Sequence, residues 1–290
     1  AFGAELQAQV QKYTANTGDI YTEQKAAPIK SLSQPYPEIA RLIEYNHCEE
    51  ADAKLKELLN QKPNDPNLIA LKAVSQAKQH QLEPAQFELD KLLKKYPNNP
   101  VAHYAQGYVY IQRQTASDVD YIKTTRGLIN SAIKEFLQAV NLDKNYYQAY
   151  NMMGFATLKL GNKADAMELF KTALKINPGF ANAYDNVGII EMMNGNLDAA
   201  EDNFMKAMKY NTHNPTAWYH MCQVETRRGN YSKALTWVNH SLHVNPNSSP
   251  ALTLQGELYL KQGNQAAAIN SFKKGLYIPF GIKIQMQLKK

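Results

Sequence analysis

From Tyr147 to Leu160 the apolar residues recur at steps of three and four, and they do so again from Ala164 to Ile176. That spacing predicts two amphipathic helices in succession. Between them Gly161 is suited to the left-handed conformation that ends a helix. Asn162 is placed to cap the next helix with its side-chain oxygen. Asn177-Pro178 follows the second run, and a residue before proline is pushed out of the α region. The segment thus predicts a helical hairpin with its own start, turn and stop signals.

The hairpin recurs every 34 residues: Gly154 leads to Gly188, Cys222 and Gly256, all small. From Gly161 the same step reaches Gly195, Gly229 and Gly263, each followed by Asn. Ala166 leads to Ala200, Ala234 and Ala268, and Phe170 to Phe204, Val238 and Phe272. Small residues at 154, 166 and 173 predict close helix approach, with Phe170 filling the space between. Upstream the ladders erode. Ala73, Ala85 and Pro97 mark one unit, and Ile39, Ala51 and Pro63 an earlier one. Gly107, Ala132, Phe136 and Ala139 mark a third, with about 13 extra residues within 115–127. Ile122, Ile129, Ile133, Phe136 and Val140 continue a helical stripe, which predicts an elongated second helix that projects from the array.

These residues resemble the tetratricopeptide repeat family, whose pattern runs W-x2-L-G-x2-Y, A-x3-F, P over 34 positions. Tyr150, Met153-Gly154, Ala166, Phe170 and Pro178 match one repeat. Trp218, Gly229-Asn230-Tyr231, Ala234 and Pro246 match another. The resemblance implies an all-α fold, a right-handed superhelical solenoid of about seven hairpins in which each repeat touches only its neighbours. The repeats fall at about 32–63, 66–97, 100–144, 147–178, 181–212, 215–246 and 249–280. Residues 1–31 precede them as a leader and 281–290 follow as a tail. Ile39 and Ala73 stand where Gly is usual, and Leu58 and Leu92 where small residues are usual, so looser packing is expected in the first two units.

In the family the first helix of each repeat faces the concave surface, and its second, fifth, ninth, twelfth and thirteenth residues meet ligand. Carried over, these positions imply a groove of Tyr104, Tyr108 and Gln112; Gln148, Asn151, Phe155 and Lys159; Asn182 and Asp185; Tyr219, Gln223 and Arg227; Glu257 and Lys261. Aromatic rings give contact area at small entropic cost, and amides hydrogen-bond an extended backbone, so the set suits a peptide or partner protein. Some relatives clamp a terminal carboxylate with a Lys at the fifth position. Here Tyr104, Asn151, Asp185, Tyr219 and Thr253 stand there, so that clamp is absent.

The net charge is +6, and it is unevenly placed: residues 215–290 hold nine Lys/Arg against two Asp/Glu. This end points to an acidic partner or surface. Asp185 and Glu257 in the groove argue against a nucleic-acid channel. No apolar run approaches a membrane span. No phosphate-cradling Gly loop, nucleophile elbow or HExxH stands in the chain, and once the repeats are assigned no segment could house a catalytic domain. The expectation is therefore a non-enzyme with no cofactor, no metal and no small-molecule substrate. His240 and His243 share a helix, but two ligands fall short of the about four of a structural metal site. Cys48 and Cys222 lie in the first and sixth repeats, too far apart for a disulfide.

Two terminal features complete the reading. Ile282, Ile284, Met286 and Leu288 alternate with polar residues, which predicts a half-buried strand that pairs with a partner chain, another copy or the chain's own segment near 20–33. Phe2, Leu6, Val10 and Tyr13 predict a short amphipathic capping helix. Residue 1 is Ala and not Met, which favours export to the periplasm or cell surface over the cytoplasm. The leading function is an interaction scaffold or adaptor. The alternative is a structural subunit of an envelope or surface assembly that uses its ends; nucleic-acid binding comes third.

Overall fold

A computed structural model describes residues 35–113, 121–211 and 215–287. Fourteen helices occupy them, and no strand occurs among the described residues. The first helices of successive hairpins are α1 (Pro37–Glu44), α3 (Pro66–Lys78), α5 (Pro100–Arg113), α7 (Tyr147–Lys159), α9 (Ala181–Met193), α11 (Pro215–Arg227) and α13 (Ser249–Lys261). The second helices are α2 (Cys48–Gln61), α4 (Leu82–Lys95), α6 (Tyr121–Leu142), α8 (Lys163–Ile176), α10 (Leu197–Tyr210), α12 (Tyr231–Val244) and α14 (Gln265–Gln287). The chain divides into two compact units, one ending at residue 183 and the other beginning at residue 184. Each is a stack of helical hairpins.

Local chemistry sets the boundaries. Prolines open α1, α3, α5 and α11, where the missing N–H costs nothing. The second helices stop before proline as well: Lys62, Tyr96, Asn177 and Asn245 all leave the helix with φ between −126° and −133°. Two residues past six of the first helices the chain turns left-handed. Gly161, Gly195, Gly229 and Gly263 do so at φ 91°, 84°, 79° and 75°. In the first two hairpins Asn46 and His80 hold that position at φ 64° and 60°. The Asn ladder that follows is chemically divided. Asn162 and Asn264 accept backbone N–H groups at 3.2 and 3.1 Å, as cap residues do. Asn230, expected to cap, instead donates from Nδ2 to Glu225 at 2.9 Å, and Asn196 donates to Glu191 at 2.8 Å.

The small-residue ladder explains how the hairpins close. A Cβ added at Gly107, Gly154, Gly188 or Gly256 would lie 2.5–2.7 Å from Cε1 of Phe136, Phe170, Phe204 or Phe272, closer than atoms pack. Glycine on the first helix thus leaves room for phenylalanine on the second. Where the first residue is larger, the second is smaller: Cys222 goes with Val238, Ala73 with Leu89 and Ile39 with Leu55. All six are at most 2% exposed. Gly with Phe, Cys with Val and Ala with Leu keep nearly the same combined volume, whereas Ile39 with Leu55 is larger; the pairs of the first two hairpins are nonetheless buried.

The third hairpin has a 22-residue second helix, where α2, α4, α8, α10 and α12 have 14. The C-terminal strand is not formed. Helix α14 runs through Gln287, so Ile282, Ile284 and Met286 lie in helical backbone. A lone strand leaves its N–H and C=O groups unpaired, whereas a helix satisfies them within its own chain. Leu288 lies outside the described residues, as do Phe2, Leu6, Val10 and Tyr13 and the segment near 20–33. Among the described residues no helix is long and apolar enough to cross a membrane.

Candidate functional site

In the unit that ends at residue 183, the first helices converge on one cavity of about 110 Å³. Ile43 and Glu44 of α1, Val74 and Lys78 of α3, Tyr104 and Tyr108 of α5, and Gln148 and Asn151 of α7 line it. Tyr146 and Phe180 from the preceding loops and Asn182 at the start of α9 complete the wall. The aromatic side is rigid. Tyr104 packs on Tyr146 at 5.0 Å between ring centroids and on Phe136 at 5.9 Å, and Tyr147 meets Phe180 edge-on at 4.7 Å.

Charge enters from the ends of α1 and α3. Glu44, the last residue of α1, keeps a partly accessible face although protein surrounds the rest of it. Gln148 Nε2 donates to its Oε1 at 2.6 Å, across 104 residues of chain. The first and fourth hairpins therefore meet, contrary to the expectation that each repeat touches only its neighbours; their first helices face one cavity. Loss of solvent pushes the Glu44 carboxyl up to about 7, against the pull of the Gln148 amide, Lys78, Arg41 and the Tyr147 hydroxyl. Lys78 donates to the carbonyls of Ile43 and Glu44 and, at 2.7 Å, to Asn46 Oδ1. An ammonium at the carbonyl end of a helix is well placed against the dipole. Burial still lowers it to about 8, opposed by Cys48 and Glu44.

The predicted groove residues divide by unit. Tyr104, Tyr108, Gln148, Asn151 and Asn182 meet at the cavity. Gln112 hydrogen-bonds the Tyr108 hydroxyl, and Lys159 lies 5.0 Å from the Phe155 ring centre; none of these last two α7 residues lines the cavity. From residue 184 onward four of the matching positions have internal partners, and two are exposed. Asp185, 7% exposed, accepts from His220 at 2.9 Å. Gln223 donates to the Tyr219 hydroxyl at 3.1 Å, and Arg227 Nη1 lies against the Met192 sulfur. Glu257 and Lys261 are exposed. His240 packs 5.1 Å from Trp218, and both cysteines are free, Cys222 fully buried.

Glu44 and Lys78 are the residues that the family positions missed. A signal for them was present. Stepping back by 34 from Gln112, a thirteenth position, reaches Lys78 and then Glu44; stepping on from Lys159 reaches Met193, Arg227 and Lys261. Glu44 is the only acid on that ladder. The basic C-terminal region also changes on folding. Arg228 pairs with Asp198, Glu201 and Glu225, and Lys233 with Glu225, so two of its nine cations are held by internal partners.

No curated protein matches the chain. Among solved structures, Cut9 in the APC/C hetero-tetramer Cut9–Hcn1 aligns with a TM-score of 0.71 at 15% identity, covering 100% of this chain and 54% of that one. This chain thus spans about half of that relative. PilW, a type IV pilus biogenesis factor, aligns at 0.58 with 19% identity over 77% of this chain and 97% of its own. A tetratricopeptide repeat protein from Parabacteroides merdae aligns at 0.57 with 17% identity over 87% and 94%. At these identities the likeness concerns the fold alone. The family model described as tetratricopeptide repeat protein 21 N-terminal ARM repeat matches residues 43–266, from within α1 to within α14. The 34-residue ladders, the glycine–phenylalanine closures and this match over most of the chain agree: the protein belongs to the tetratricopeptide repeat protein 21 N-terminal ARM repeat family, an all-α solenoid of tetratricopeptide hairpins built for protein–protein interaction.

Proposed function

We propose that this scaffold holds an extended segment of a partner protein along the first helices of residues 35–183, with one side chain of that segment in the cavity. The observation that carries this reading is the convergence of Tyr104, Tyr108, Gln148, Asn151 and Asn182, drawn from the implied ligand positions, on a single space. Its size selects the ligand class. About 110 Å³ admits the end of one side chain, well short of the roughly 300–1,000 Å³ of a small-molecule or cofactor site. The protein acts as a binder and not as an enzyme. Rigid tyrosines supply contact area, and Asn151 and Asn182 supply paired donors and acceptors for a peptide backbone.

The test is capture from a randomised nine-residue peptide library by the full chain. Binding should be lost in Asn151→Ala and Tyr108→Ala, with circular dichroism confirming that both variants stay folded. Tyr219→Ala, outside that unit's cavity, should bind as before. Capture unaffected by Asn151→Ala would reject the groove.

A second reading, a subunit that docks through its end, is favoured by one observation. Ile269 and Leu276, seven residues apart on α14, are 53% and 60% exposed. Sedimentation of Ile269→Glu separates the two readings: loss of assembly with peptide capture intact would favour the end.

A further inference from the structure

The cavity wall combines rings, amides and aliphatic side chains, and it includes one carboxyl group with no cation bonded to it. Glu44 Oε1 takes the Gln148 N–H. The nearest ammonium, Lys78, has three acceptors in Ile43, Glu44 and Asn46, and two of these are backbone carbonyls. Three N–H donors on three acceptors leave Lys78 none to offer an incoming anion. The charge in the cavity that seeks a partner is therefore the negative one. A cation entering there would meet the carboxylate and the faces of Tyr104 and Tyr146, and aromatic faces attract cations.

We propose that the cavity is the anchor site for a lysine side chain of the bound segment, its ammonium paired with Glu44 and its methylene stem against Tyr104 and Tyr146. This rests on the groove reading above and adds the chemistry of the anchor. Lysine is favoured over arginine by the carboxyl geometry. A guanidinium fork uses both oxygens in parallel, and Oε1 is engaged by Gln148. An ammonium needs one oxygen and fits the small volume.

The electrostatics agree. Desolvation holds the Glu44 carboxyl up at about 7 in the unbound chain, so its ionised form is the costly one, and a bound ammonium would offset that cost. The ionisable groups around it are Arg41 and Tyr45 beside it, Lys78 on α3, Tyr104 on α5, and Tyr146 and Tyr147 at α7. Burial and the neighbouring carboxyl raise all four tyrosines, so they stay neutral through the range in which Glu44 titrates. Lys78 titrates higher, at about 8. Lysine capture should accordingly strengthen as pH rises from 6 to 7.5, where Glu44 ionises.

The experiment uses the full chain and four nine-residue peptide pools, randomised except for a central Lys, Arg, Leu or Glu. At pH 7.5 the Lys pool should be retained at least tenfold over the Leu and Glu pools and above the Arg pool. Glu44→Gln, which keeps an oxygen for Gln148, should level the pools while leaving the Asn151-dependent capture in place. A preferred Glu or Arg pool, or a Lys preference unchanged in Glu44→Gln, would overturn the proposal. Equal capture of all four pools that still depends on Asn151 would reject the lysine anchor and leave the groove standing. Should no pool bind, n-butylammonium chloride is titrated while the Gln148 side-chain amide is followed by NMR. A saturating shift absent in Glu44→Gln supports the anchor, and no shift rejects it together with the groove.

Discussion

Two desolvated glutamates, one buried in one unit and one half-buried in the other, show how one repeat pattern can serve opposite ends. Glu225, at the end of α11, has no solvent-accessible surface and is surrounded by partners. Arg228 and Lys233 lie 3.0 and 2.7 Å from it, and Asn230 donates at 2.9 Å. Although burial opposes ionisation, the Lys233 and Asn230 hydrogen bonds and the Lys233 charge hold its carboxyl below the usual range. Glu44, at the end of α1, has the Gln148 amide and the Tyr147 hydroxyl as hydrogen-bond partners and two cations acting from further off, and it is pushed up to about 7. The first acid is finished and closes its turn. The second is left with unmet demand, and it sits where a ligand can reach it. The first helices follow a similar contrast: Asp185, Tyr219, Gln223 and Arg227 have internal partners, whereas the earlier positions surround a cavity.

The largest effects should fall on what the two units share. Phe170→Ala and Phe204→Ala each empty the space facing a glycine and should each cost about 3–5 kcal/mol in denaturant unfolding. A large cost in one unit and little in the other would show that the hairpins are not closed alike.

The glutamates come next, with opposite signs. Glu225→Ala removes the buried acceptor shared by Lys233, Arg228 and Asn230 and should cost about 3 kcal/mol near pH 7. Its carboxyl is depressed on folding, so that contribution is present above the unfolded value of 4.5 and is lost as pH falls through the lower folded value. Glu44→Gln should instead stabilise the unliganded chain above pH 7 by roughly 2–3 kcal/mol, the order implied by a rise from 4.5 to about 7. The folded state there holds its proton longer than the unfolded state, so wild-type stability should fall as pH rises from 4.5 to 7. The Glu44→Gln variant should lack this slope in melts across that range. A parallel pH profile for the two proteins would erase the distinction between the acids.

The smallest effect concerns the turns. Gly195→Ala places a Cβ on a φ of 84° and should cost about 1 kcal/mol. His80→Gly should relieve the same strain at φ 60° and change stability by less than 1 kcal/mol, since glycine also gains freedom when unfolded. Equal and opposite shifts would mean that unfolded-state freedom adds little here.

The hairpins, their turns and their closures were legible in the sequence because each depends on residues close in the chain or one fixed period away. A glycine at 154 and a phenylalanine at 170 specify a contact that any copy of the unit repeats. The tail was misread for a related reason. Alternation marks a strand only when a neighbour completes its hydrogen bonds, and α14 satisfies them alone through Gln287. Five cavity residues were also legible, through their places on the first helices.

What residue order alone could not supply was the meeting of α1 with α7. Glu44 and Gln148 are 104 positions apart and share no period. Their contact depends on how several hairpins turn in sequence, a sum of small packing angles that no single repeat contains. A ladder position could name Glu44, but only the folded chain strips most of its water, supplies the Gln148 amide and the Tyr147 hydroxyl and opens a space beside it. Repetition determined the scaffold, and desolvation at one point of the assembled stack decided which residue carries the raised carboxyl.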